Sequence, residues 1–310
     1  EVGWISYEKT TNSLFVADAS GSTLQLFSHN DQTAAITSKK TFTSSPEQVH
    51  LTVTATSTGF NLFGSSYSRG ELSYYKMNQA LNQLTKVQVI SQGASANTHS
   101  SSFDSKRNLL YVASLGLNKV FVYKYSDQDG LVALTEIPLM GARTVVYDST
   151  YDKVYVATEM YTGASSINVF SIAASGSSYT YKASGSLSMP FSGADIKLNH
   201  KFNFAMATAR EDGKESIWAL PLTASGVADG SRQAFSIPVG YPMPRALEIT
   251  EDGLYAVVGL NTGEQGIVAF KMNFNAQKNF VSSQKIFQQA SPTTWGYLGG
   301  TSIPIYGISP

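Results

Sequence analysis

The sequence predicts an all-β chain folded as a seven-bladed β-propeller. Residues 1–310 would form a single domain of four-stranded antiparallel blades closed by both chain ends. Three observations carry that expectation. One strand–turn–strand pattern recurs at a nearly constant step, its strands alternate apolar and polar residues, and no long stretch keeps apolar residues at i, i+3, i+4 and i+7. Two β-sandwich domains would also give short strands, but they need no single motif at constant spacing.

The blades follow in order along the chain. A first copy runs from Gly3 to Phe27, with the β-type run Gln32 to Phe42 as its fourth strand. A second spans His50 to Tyr75 and is completed by Gln83 to Ile90. The third is clearest: Thr98-His99-Ser100-Ser101-Ser102-Phe103-Asp104, then Leu110-Tyr111-Val112-Ala113-Ser114, then Lys119-Val120-Phe121-Val122-Tyr123. The fourth repeats it at Ala142 to Asp148, Val154 to Glu159 and Ile167 to Phe170, and weaker copies span Asp195 to Leu220 and Arg245 to Phe270. Aromatic and β-branched residues suit a pleated, half-buried surface, while Asp, Asn and Gly between the runs supply turns. Anchored at Gly3, His50, His99, Arg143, Asp195 and Arg245, the steps are 47, 49, 44, 52 and 50 residues. Six copies and the tail after Phe270 make seven blades, and a blade shared by the two chain ends would leave no exposed edge strands. The kelch glycine pair and the Gly-His…Trp-Asp pattern of WD40 repeats are both missing.

Composition removes several classes of function. Twenty-two basic residues balance 22 acidic ones, which argues against nucleic acid and against a polybasic membrane anchor. No apolar run approaches the ~18–20 residues of a membrane-spanning helix. Cysteine is absent, so thiolate metal sites, disulfides and a Cys nucleophile are excluded. Only 14% of residues are charged, whereas Ser and Thr occupy 67 of the 310 positions. That hydroxyl-rich surface, with a chain starting at Glu1, favours a secreted over a cytoplasmic protein.

Against so few charges, one concentration is informative. Inner strands of a propeller line a central channel, and their first residues ring one mouth of it. That ring reads Gly3, His50, His99, Arg143, Asp195 and Arg245. A second ring, where the following strands end, reads Asp18, Ser65, Ser114, Glu159, Arg210 and Asn261. Antiparallel pairing puts both rings on one face. Arginine suits carboxylate or phosphate, and His or Glu can move protons when its pKa is tuned. The competing reading is a salt-bridge network closing the channel, with Arg143–Glu159 and Asp195–Arg210 as pairs. His29 and His200 fall in turns and read as solvated. No Gly-x-Ser-x-Gly elbow, His-Glu-x-x-His pair or phosphate-binding glycine loop occurs. Two histidines 49 residues apart amid arginines make a poor metal site. The expected partner is therefore a small anion such as a carboxylate, and no metal is expected. The oligomeric state is not legible.

The segments Thr98–Tyr123, Gly141–Phe170 and Gly193–Leu220 resemble blades of the lactonase-type seven-bladed propellers. That family includes bacterial 6-phosphogluconolactonase-like proteins and the fungal 3-carboxy-cis,cis-muconate lactonizing enzyme, carboxymuconate cyclase, to which the resemblance is closest. Position by position it implies catalytic roles for His99, Arg143, Glu159 and Arg210, while the ring positions His50, Asp195, Arg245 and Asn261 are expected to contact substrate. The implied reaction is cofactor-independent lactone formation on a carboxymuconate-like polycarboxylate. Arg143 and Arg210 would anchor carboxylates, and His99 or Glu159 would donate the proton. The alternatives are a sugar-lactone hydrolase using the same arginines, or a secreted propeller that binds a ligand or partner without catalysis.

Overall fold

The computed structural model describes residues 2–176, 178–190, 192–260 and 266–289. Its strands form six sheets of four antiparallel strands, each built from consecutive segments of chain. The blades occupy residues 2–43, 48–91, 98–138, 142–189, 193–238 and 244–289. One short helical turn, Ala94–Ala96, lies among the described residues. The propeller of four-stranded blades is therefore as the repeat predicts, but the blade count and the closure are corrected. Among the described residues six blades form, not seven. The stretch after Phe270, as far as Gln289, supplies the sixth blade's own fourth strand, Phe280–Gln289, which pairs with Ile267–Phe274. Among the described residues no blade combines strands from the two chain ends.

Second strands are the most deeply covered, because each has a hydrogen-bonded neighbour on both sides and, in blades 2 to 5, a packed blade on each face. Every residue of Gly59–Ser66, Leu109–Ser114 and Phe204–Ala209 is buried. Their short apolar runs are what made the repeat visible. Tight turns precede four of the six second strands through a left-handed residue, Asn12, Asn108, Asp152 or Asn203. Asn and Asp tolerate that conformation better than other residues with a side chain.

The core is divided among the blade interfaces. Phe15, Leu62 and Tyr75 join blades 1 and 2, while Phe63, Tyr74 and Tyr125 join blades 2 and 3. Val145 and Val156 meet Tyr111 and Val122 between blades 3 and 4. Tyr155 and Val169 meet Ile196 and Ala207 between blades 4 and 5, and Phe204 and Met206 meet Val258 and Phe270 between blades 5 and 6. Five such clusters are described. None joins blade 6 to blade 1 among the described residues.

Candidate functional site

Each inner strand starts with an irregularity that decides what faces the channel mouth. In all six blades the pairing of inner and second strands slips by one residue near the start. A β-bulge of this kind re-aims the side chain it carries. The extra residue is Gly3, Val49, His99, Arg143 and Arg245 in blades 1, 2, 3, 4 and 6, and the slip falls at Ala194–Asp195 in blade 5. Two residues before it the backbone is left-handed, at Glu47, Asn97, Gly141, Ser192 and Met243 in blades 2 to 6.

Registering the blades on this bulge corrects the two sequence rings. His50 pairs with Ser65 as Ser100 pairs with Ala113 and Thr144 with Ala157, so His50 lies one layer deeper than His99 and Arg143. The position equivalent to His99 in blade 2 is Val49. By the same pairing Asp195 sits one layer below the mouth and Ala194 takes its place. Across the mouth, Glu159 and Arg210 follow Thr158 and Ala209, and the equivalent residue after Ser66 is Tyr67. A shared backbone bond marks the level: Leu115, Glu159 and Arg210 donate their N–H groups to Asn97, Gly141 and Ser192. The mouth thus presents His99, Arg143 and Arg245 from strand starts, and Tyr67, Glu159 and Arg210 from strand ends. Asn261 lies outside the described residues.

His99, Arg143, Glu159 and Arg210 come together there. Glu159 is held between two guanidiniums. Its Oε2 stands 2.7 Å from Arg143 Nε, and its Oε1 accepts from Arg210. Side-chain exposure of these three groups is only 3–6%. Arg210 Nε also donates to the Ser192 carbonyl at 3.1 Å. Burial by itself would raise the Glu159 pKa, but the charges of Arg143 and Arg210 and a hydrogen bond from Tyr161 carry it below the usual carboxylate value. Burial and the neighbouring Arg143 push Arg210 down to about 10. Burial, reinforced by Arg143 and Arg245, holds the His99 imidazole well below the ordinary histidine range, so it is neutral. His99 Nδ1 is buried with no hydrogen-bond partner among the described residues, and the Tyr67 ring meets the imidazole edge to face at 5.6 Å.

Two rim assignments change, and so do those of the two turn histidines. His50 packs on Trp4 with ring centroids 4.0 Å apart, and its Nδ1 accepts from the Ser101 N–H at 3.3 Å. Burial and the charges of Lys197 and Arg143 push it down to about 3. It is a packed, neutral side chain below the mouth. Asp195 is a tie between blades: its carboxylate accepts from the Ile196 and Leu247 N–H groups, and Arg210 pairs with Glu159 instead. His200 is not merely solvated, since its Nε2 lies 2.6 Å from Asp148. His29 likewise stands 3.0 Å from Asp31. Below the His50 layer the channel widens to a cavity of ≈ 320 Å³ that reaches Asp148 and His200 at the far ends of the inner strands. Lys197 and Glu248 form an ion pair in its wall at 3.3 Å.

Sequence reasoning missed Tyr67 and Tyr161. A signal for both existed, because each stands two residues after a member of the second ring, Ser65 or Glu159. It could be used only once the bulge had set the register.

Among curated proteins none matches the sequence. Several solved structures share the fold. The periplasmic gluconolactonase of Pseudomonas aeruginosa superposes with a TM-score of 0.77 at 16% identity, covering 93% of this chain and 85% of that one. A Bacteroides fragilis protein provisionally described as a 6-phosphogluconolactonase gives 0.72 at 14% identity, over 92% and 84% of the two chains. The likeness extends to a hydrazine synthase of Kuenenia stuttgartiensis, at 0.68 and 10% identity over 94% and 86%, so the fold alone does not fix a chemistry. The sequence itself matches the model described as "Lactonase, 7-bladed beta-propeller" over residues 1–294. On that match, and with the repeated blades and the Arg–Glu–Arg mouth in place, the chain belongs to the lactonase β-propeller family.

Proposed function

We propose that this propeller hydrolyses a lactone at the arginine-lined mouth, without a cofactor. One observation supports the reading above the rest: a buried neutral imidazole, His99, stands beside two guanidiniums that share one carboxylate. Water adds to the lactone carbonyl while His99 takes its proton. The acyl–oxygen bond then breaks, and the ring oxygen leaves as a hydroxyl after receiving that proton. Arg143 and Arg210 meet the oxyanion as it forms and afterwards the product carboxylate. A preorganised donor at such an oxyanion contributes ~2.7–4 kcal/mol, and a placed general base ~10²–10⁴-fold. Glu159 keeps the two arginines apart and aimed, leaving one positive charge in excess among the three groups.

The same charge states weigh against lactone formation from a carboxymuconate-like diene. That reaction needs a protonated donor to carbon, whereas Glu159 is ionised and His99 neutral. The gluconolactonase among the structural relatives adds weight to hydrolysis. The test is pH-stat titration of 1,5- and 1,4-lactones, phosphorylated and not, against their spontaneous opening. His99→Ala and Arg143→Met should each lose at least 10²-fold in kcat/KM with the circular dichroism spectrum retained. Cyclisation of carboxymuconate with no acceleration of any lactone would reverse the direction assigned here.

A further inference from the structure

Nine large apolar side chains are exposed among the described residues. Seven lie on outermost strands, from Ile36 in blade 1 to Phe287 in blade 6, where the blade edge meets solvent. The other two, Met140 at 63% and Tyr161 at 67%, stand on loops at the arginine mouth. Their closeness to the site is set by Gly141. A Cβ there would lie 2.6 Å from the Glu159 carbonyl oxygen and 2.8 Å from Met160 Sδ, so the loop carrying Met140 lies against the segment carrying Tyr161. The Tyr161 hydroxyl bonds to Glu159 and lies within electrostatic reach of Tyr67, whose ring packs edge-on to His99. The cationic floor therefore has an apolar lip.

We infer that the substrate is an amphipathic lactone, its carbonyl on Arg143 and Arg210 and an aryl or alkyl body against Met140 and Tyr161, and not a polyhydroxylated sugar lactone. This rests on the lactone-hydrolase reading of the same mouth. Met140 is only a weak acceptor and Tyr161 already spends its hydroxyl on Glu159, so sugar hydroxyls turned toward them would lose water without gaining strong hydrogen-bond partners. An apolar body loses nothing there and gains burial. The arginines do not demand a charged substrate, because the charge they meet is the one that develops in the reaction.

The experiment compares kcat/KM for dihydrocoumarin and glucono-1,5-lactone in the wild type, Met140→Ser and Tyr161→Phe. Dihydrocoumarin should be preferred at least tenfold. Met140→Ser should cut that preference about fivefold, chiefly through KM, while Tyr161→Phe, which keeps the ring, preserves it. Preference for the sugar lactone, or an equal loss on both substrates in Met140→Ser, overturns the inference. Should neither lactone be turned over, the hydrolase reading fails, and calorimetry of the two ring-opened acids still decides the lip. Tighter binding of 3-(2-hydroxyphenyl)propanoate than of gluconate, weakened in Met140→Ser, supports it. Equal binding, or tighter binding of gluconate, refutes it.

Discussion

Glu159 holds two guanidiniums with one carboxylate, and replacing it separates two effects that usually travel together. In Glu159→Gln, two buried arginines lose their only charge partner in the trio, which should cost ~3 kcal/mol of stability. The same change frees positive potential, so a carboxylate ligand should bind more tightly although the protein melts earlier. Calorimetry of gluconate binding beside thermal denaturation checks both. Affinity falling together with stability would make Glu159 a packing residue only. His99 supplies a second test through pH. Its folded pKa lies below the ordinary ~6.5 because burial and the nearby guanidiniums oppose its charging. The base must be neutral, so kcat/KM should stay level down through pH 6.5 and fall only on more acidic titration. Arg143→Met removes one opposing charge, raises the His99 pKa and moves the acid limb upward. A limb that stays in place would show that His99 is not the group being read.

Left-handed residues at the inner-strand entries make the blades differ in strain at one structural position. Gly141 adopts φ 70° without cost, whereas Ser192 holds φ 64° with a Cβ. Ser192→Gly removes a penalty of ~1–2 kcal/mol and adds the ~0.5–1 kcal/mol of entropy that glycine loses on folding. The net expectation is a gain of roughly 0.5 kcal/mol, read from urea denaturation. Gly141→Ala runs the other way. It acquires the left-handed penalty and pushes its Cβ into the Glu159 carbonyl, so it should lose at least ~1 kcal/mol and weaken ligand binding with it. If both variants melt like the parent, the recurring left-handed entry is not what sets the start of the inner strand.

At the scale of the whole molecule, blades 2 to 5 are packed on both faces by described clusters, while blades 1 and 6 are packed by them on one. Hydrogen exchange should therefore be slowest in the inner strands of blades 3 and 4, Thr98–Asp104 and Ala142–Asp148, and faster in those of blades 1 and 6, Val2–Glu8 and Pro244–Ile249. Uniform protection would mean that blades 1 and 6 are held as firmly as the rest. At the far mouth Asp148 and His200 tie blade 4 to blade 5. The hydrogen bond that His200 donates to the Asp148 carboxylate raises the His200 pKa in the folded state. The contribution of a raised histidine is fully present below its unfolded pKa of ~6.5 and disappears as pH rises through the folded value. Because the ring is part exposed, the effect should be ~0.2–1 kcal/mol. His200→Asn should thus lose stability at pH 5.5 and none at pH 9, as paired melting curves would register.

The sequence by itself determined the four-stranded repeat, the absence of helix-forming periodicity and the concentration of His, Arg and Glu near strand ends. These are local properties, written in alternation, turn residues and spacing. It also placed His99, Arg143, Glu159 and Arg210 at one mouth, since each stands at the margin of a recognisable Tyr-Val-Ala-type copy or its neighbour. Tertiary structure alone decided the blade count, because whether the tail supplies a new sheet or the last strand of an old one depends on pairing partners far apart in sequence. It alone also separated His50 and Asp195 from the site and brought Tyr67 in. Along a strand the side-chain direction reverses with every residue, so a bulge of one residue moves a histidine from the mouth to the layer beneath. Spacing counted to within one residue finds the blade, and only the hydrogen-bond register tells which side chain reaches the mouth.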